Sequence, residues 1–265
     1  MLSGDSFIAT PQITINLATC LYFVNMISIF KKEVAQFFSS LTGYLAIGVF
    51  LLLMGLFLFI FPDTSIFDYG YATLDKFFDL APYILLLLVP AITMRSFSEE
   101  FKTGTWELLK TKSISAWQIV VGKYLAALAV VLLTLLPTVI YVFTIYNLSI
   151  NHSIDSGAII GSYFGLVFLV AVFTAIGLFC STLTSNAVVA FLLASFVCFA
   201  IYMGFSAVSK IPSLQGGADY WIESLGIDTH YLSMSRGVLE LRDLAYFIIV
   251  LGAFLMFSKR IIVKK

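Results

Sequence analysis

Apolar residues fall along this chain in long runs separated by short polar segments. Crossing the roughly 30 Å of bilayer hydrocarbon takes about 20 predominantly apolar residues in a helix. Six runs suit a span: about 43–61, 77–94, 117–146, 157–181, 186–207 and 243–262. Lipid offers the backbone no hydrogen-bond partner, so each run is predicted to be a helix. The third is long enough to tilt or protrude. The expected fold class is all-α, a polytopic membrane protein with six transmembrane helices.

Two segments between or beside these runs have a mixed pattern. In "ISIFKKEVAQFFSSL" (27–41), Ile29, Val34, Phe37, Phe38 and Leu41 fall near one helical face, with Lys31 and Lys32 available to phosphates. That pattern predicts an interfacial helix lying on a leaflet; the alternative is a simple extension of the first span. In 208–242, Trp221, Leu225, Leu232, Val238 and Leu239 alternate with polar residues after Pro212, Gly216 and Gly217. Short external helices before the last span are expected there, because a continuous span would carry Glu240, Arg242 and Asp243 into lipid. Residues 1–25 hold one charge, Asp5, so they lack the basic start of a secretory signal. They are expected to be a poorly structured extension, with Met26 as the natural start and 26–265 as the transmembrane domain.

Composition sharpens the class. Hydrophobic residues make up 60% of the chain and charged residues 11%, whereas a soluble domain is nearer half apolar and about a quarter charged. The formal net charge is zero, so no global field points to nucleic acid. With the N-terminus placed in the cytoplasm, 11 of the 15 basic residues fall inside; Lys76, Lys210, Arg236 and Arg242 fall outside. The positive-inside rule therefore predicts that both termini are cytoplasmic.

Candidate chemistry is sparse. Arg95 and Lys123 sit at span ends, where long side chains snorkel to water. No carboxylate falls near a midplane, which disfavours an ion-coupled carrier. Pro90 and Pro137 are expected to kink their spans. His152 and His230 have no second ligand at metal spacing, and Cys20, Cys180 and Cys198 read as buried free thiols. Gly122-Lys123 is followed by Tyr124, and Trp117 stands where a P-loop needs its first glycine. No catalytic, metal or cofactor site is expected in this chain. Gly157, Gly161 and Gly165 repeat every four residues, which lets a second helix approach closely, within the chain or across a subunit interface.

The charge is concentrated in one place: seven charges fall between Arg95 and Lys112. Ser96-x-x-Glu99 matches a capping box, and Gly104 between Thr103 and Thr105 reads as a break between two short helices. Trp106 and Leu109 share a face, with Glu107 and Lys110 beside it. The residues alone leave two readings open: a docking knob for another protein, or a solvated loop made basic by topology.

The stretch "MRSFSEEFKTGTWELLKTKSISAWQIVVGKY" (94–124) resembles the corresponding loop of ABC-2-type transporter permeases: an Arg, a Glu pair, Gly-Thr, Glu-Leu-Leu, a Thr, and Gly-Lys opening the next span. "MSRGVLELRDLAYF" (234–247) and "FKKEVAQFFSSLTGYL" (30–45) extend the likeness to nearly everything after Met26. Within that family the overall likeness is to gliding-motility permeases. The resemblance implies a bacterial inner-membrane subunit paired with a second permease half, either a different subunit or another copy. A separate ATPase dimer would bind the ATP. It further implies that the 94–113 loop is the coupling helix, with Glu99, Glu100, Gly104, Thr105, Glu107, Leu108 and Leu109 as its ATPase contacts. The expected output is export of a substrate; the alternative is an ATP-driven mechanical or scaffolding component.

Overall fold

The computed structural model describes residues 11–62, 65–66, 73–112, 114–149, 155–211, 218–237 and 240–265, with side chains from Val24 onward apart from Asn25 and Thr42. Among these residues every regular element is helical. The helices are α1 (Pro11–Ser39), α2 (Leu41–Phe59), α3 (Asp75–Thr93), α4 (Arg95–Thr103), α5 (Thr105–Lys110), α6 (Ala116–Leu135) and α7 (Val139–Leu148). They continue with α8 (Ser156–Leu183), α9 (Ala187–Phe199), α10 (Phe205–Ser209), α11 (Ala218–Glu223), α12 (Ile227–Ser235) and α13 (Leu241–Lys264). Residues 1–10 lie outside the described set, as do the side chains of 11–23, including Cys20.

Among the described residues, five helical stretches are long and apolar enough to cross a membrane: 75–103, 116–148, 156–183, 187–209 and 241–264. A sixth is made if the bent pair Met26–Ser39 and Gly43–Phe59 counts as one span. That pair meets at 70°. The bend has a local cause. Ser40 is extended, and its hydroxyl donates to Phe37 O at 2.9 Å. Gly43 then sits so close that a Cβ there would stand 2.6 Å from Phe37 O. Only glycine allows α2 to leave α1 so sharply.

The helix at the centre is α8. In its most apolar window 78% of residues are buried, against 22% in the spans of α9 and α13, so those two leave broad faces for lipid or a partner. Gly177 lets α3 press on α8: a Cβ there would meet Thr93 Oγ1 at 2.0 Å. Caps follow the sequence at several starts. Asp155 accepts from Ala158 N, Asn186 accepts from Val188 N, and Ser115 with Gln118 forms a reciprocal capping box at α6.

One expectation needs correction. Ser96 does not cap a helix: α3 runs into α4 with Met94 still in right-handed helical backbone, so Ser96 lies inside a turn already formed. At Pro137, where a kink is expected, the third span changes helix type. The proline sits in one 3-10 turn, Leu136–Thr138, within an otherwise helical 116–148. Short helices do occupy the segment before the last span, as α11 and α12; Val238 and Leu239 lie outside the described residues.

Candidate functional site

The seven-charge stretch forms α4 and α5 at one end of the bundle. Gly104 separates them with φ +72°, a left-handed conformation that costs an L side chain roughly 1–2 kcal/mol. The Thr103 and Thr105 hydroxyls on either side share a hydrogen bond at 3.0 Å. The result is a tight break between α4 and α5.

Aromatic packing anchors the junction. Phe97 and Phe101, one turn apart on α4, meet Trp106 of α5 with ring centroids 6.1 and 5.6 Å away. Around them pack Ile29 of α1, Ile119, Val120 and Tyr124 of α6, Leu178 of α8 and Ile262 of α13, a small core distinct from the main one. The end of the last helix braces the same spot. Lys265 Nζ lies 3.9 Å from the Phe101 ring centroid and donates to Thr182 O at 2.8 Å, while Lys110 donates to Lys265 O.

An ion cluster ties this knob to the spans. Lys123 of α6, its side chain 1% exposed, donates to Glu33 Oε1 at 2.7 Å, Ser96 O at 2.7 Å and Glu100 Oε1 at 2.9 Å. All three ammonium protons are therefore used. Ser96 and Glu100 are four residues apart, so one lysine reaches both on the same face of α4. Lys32 adds a looser contact to Glu100 at 3.4 Å. The preceding residue makes the approach possible. A Cβ on Gly122 would meet Ile29 Cγ2 at 3.1 Å and Met26 O at 3.2 Å. Gly122 brings α1 against α6, and Lys123 then finds Glu33. The snorkelling expected of Lys123 is overturned: its charge is satisfied inside the protein.

The knob residues expected as contacts therefore divide. Glu99, Gly104, Thr105, Glu107 and Leu108 are exposed, Leu108 to 67%. Glu100 is turned inward to Lys123, and Leu109 packs on the aromatic core. The sequence reading grouped the two glutamates and the two leucines as pairs; the structure splits both. Glu33 escaped that reading because its partner lies 90 residues away.

At the opposite end, His230 Nδ1 lies 2.6 Å from Asp243 Oδ1 and Nε2 lies 2.9 Å from Ser224 O, with the ring stacked on Tyr246 at 4.1 Å. Asp243, the carboxylate expected at the foot of the last span, is thus held by the histidine. Gly165 receives α12 and Gly161 the turn that follows it: Cβ atoms there would stand 3.0 Å from Met234 Cβ and 2.7 Å from Gly237 Cα. Gly157 meets only the Asp155 side chain, at 3.4 Å. Cys180 and Cys198 are free and buried. No group of three or more His, Cys, Asp or Glu that could hold a metal occurs among the described residues, and His152 lies outside them.

No curated protein matches the chain. The family model for "ABC-2 family transporter protein" matches residues 63–257, more than half of the chain, including the knob, its anchoring lysine and the α12–α13 junction. The chain belongs to the ABC-2 family of transporter proteins, as a membrane-spanning subunit that works with an ABC ATPase and is not itself the ATPase.

Proposed function

We propose that α4–α5 is the coupling element through which the ATPase drives this permease. The observation that carries the reading is the split of the knob. Its outward side offers Glu99, Glu107 and Leu108 to a partner. Its inward side is fastened by Lys123 to two further elements, α6, which carries the lysine, and α1, which carries Glu33. A push on such a knob moves two membrane helices as a body, the kind of rigid rotation by which transporters switch. The excess of basic residues at this end supports a cytoplasmic placement with both termini inside.

The complex is read as an exporter built from two permease halves, this chain and either a different subunit or a second copy, above an ATPase dimer that holds the ATP. The likeness of the sequence from Met26 onward to gliding-motility permeases supports a place in that machinery, at the bacterial inner membrane. The test is co-purification from native membrane in mild detergent. Wild type should bring down a P-loop ATPase; Glu99→Lys with Glu107→Lys should lose it while the chain stays inserted and folded. Undiminished recovery with the double variant would sink the coupling assignment.

A further inference from the structure

Helix α8 ends at Leu183, and Thr184 after it is extended. The Asn186 amide would bond Thr182 O if the helix ran on; it donates instead to Thr184 Oγ1 at 3.1 Å. Thr182 is buried, so its carbonyl needs a donor from inside the protein. That donor comes from another helix: Lys265 Nζ reaches Thr182 O at 2.8 Å. A cation there also complements the negative end of the α8 dipole. The same ammonium lies 3.9 Å from the centroid of the Phe101 ring in α4, within cation–π range. The backbone of Lys265 is fixed as well. Its N–H donates to Ile261 O of α13 at 3.1 Å, and its O accepts from Lys110 of α5. One residue thus meets α4, α5, α8 and α13.

The hydrogen bonds of Lys123 reach α1 and α4 from α6 and leave α8 and α13 out. We propose that Lys265 is a clamp, the positioning residue that carries a displacement of α4–α5 to the last turn of α8. The inference rests on the reading of α4–α5 as the coupling element. A shift of α4 that keeps the ammonium over Phe101 pulls on Thr182 O. That carbonyl belongs to the central helix, whose most apolar window is 78% buried, so a pull on its end is passed to the helices packed around it. Leu178 of α8 also packs in the small core of the knob. An apolar contact can slide, whereas a hydrogen bond holds direction as well as distance. The two routes are therefore separable by removing the donor and keeping the stem.

Hydrogen exchange read by mass spectrometry tests it, on the full chain in detergent, alone and with its co-purified ABC ATPase. Lys265→Met keeps the aliphatic stem and removes the donor. In the chain alone it should speed exchange in the last turn of α8 by about threefold or more, the low end of what one hydrogen bond holds back from local opening. In the wild-type complex the ATPase should slow exchange in α4–α5 and in that turn together. Lys265→Met should keep the slowing in α4–α5 and lose it in α8. Lys265→Arg, which retains charge and donors, should restore it. Exchange at the end of α8 that Lys265→Met leaves unaltered in the chain alone, or slowing that still reaches α8 in the complex of that variant, overturns the clamp. Absence of slowing at α4–α5 in the wild-type complex overturns the coupling reading itself, and the clamp that rests on it falls too.

Discussion

The two ends of the bundle each bury a side chain held by carboxylate, and the two ties are built differently. At the α4–α5 end one lysine is held by two carboxylates that come from 90 and 23 residues away. At the α11–α12 end one histidine meets one carboxylate 13 residues on. The first joins elements far apart in sequence that also share the small core of Ile29, Phe97 and Tyr124. The second staples a short helix pair to the span that immediately follows it. A long-range tie transmits displacement between helices, whereas a local tie fixes the shape of one corner. The end with the exposed knob is the end with the long-range tie.

Removing each hub separates the two designs, and the larger effect belongs to Lys123. Lys123→Ala leaves Glu33 and Glu100 with only the exposed Lys32 beside them, and breaking a buried pair this way costs up to about 3–5 kcal/mol. The variant should show a strongly lowered Tm in detergent. Glu33→Gln with Glu100→Gln on the Lys123→Met background should recover much of that loss, because no charge is then stranded. A Tm for Lys123→Ala within a degree of wild type would mean that the tie is ornamental.

His230→Ala should cost less, about 1–3 kcal/mol. Only one carboxylate is stranded, and a neighbouring cavity of about 210 Å³ lined by Glu240, Arg242 and Asp243 lets water reach it. Asp243 already has one oxygen, Oδ2, buried without a hydrogen-bond partner. Thermal unfolding of the variant beside Lys123→Ala gives the order directly; a reversed order would place the stronger constraint at the wrong end for a coupling device.

What the sequence showed and what it hid follow from range. Spans, the α4–α5 break at Gly104 and the short helices before α13 were legible because each depends on contiguous residues: apolar length, one glycine between threonines, charges too dense for lipid. The Lys123 cluster was not, because a lysine at a span end looks alike whether it snorkels or meets acids from two other helices. The capping box was misplaced for a related reason. Ser96-x-x-Glu99 and Ser115-Ala116-Trp117-Gln118 carry the same pattern, and only the tertiary path shows which one begins a helix. Close helix contact was half legible. A four-residue glycine row announced Gly161 and Gly165, while Gly177, alone in its turn, gave no signal.

The glycines give a smaller and more local comparison. Gly177→Ala and Gly161→Ala place a methyl group 2.0 Å from Thr93 Oγ1 and 2.7 Å from Gly237 Cα. Neither neighbour yields easily: Thr93 is pinned by its bond to Val89 O at 2.9 Å, and the other is backbone. Overpacking of this kind costs about 1–3 kcal/mol. Gly157→Ala meets only the Asp155 carboxylate, at an ordinary contact distance of 3.4 Å, and should be neutral, or stabilise by about 0.5–1 kcal/mol through helix propensity. Three thermal-shift curves decide it, and a Gly161→Ala curve overlying that of Gly157→Ala would remove the contact between α8 and the turn after α12 from the account.

The smallest effect on stability carries the most information about function. Leu108 and Leu109 are neighbours on α5, yet one is 67% exposed and the other packs against the small core that holds Phe97 and Trp106. Leu109→Ala should loosen the knob and lower Tm, because it opens space in a small core. Leu108→Ala removes a side chain that touches little, so stability should change by no more than about 0.5 kcal/mol. If α5 seats in a groove of an ATPase, Leu108 is the apolar anchor that enters it, and binding interfaces concentrate their energy in a few such residues. Leu108→Ala should then weaken ATPase recovery while Tm holds, and Leu109→Ala should lower Tm first and recovery as a consequence. Should both variants lose stability and recovery in the same proportion, the knob would be acting only as a structural plug at that end of the bundle.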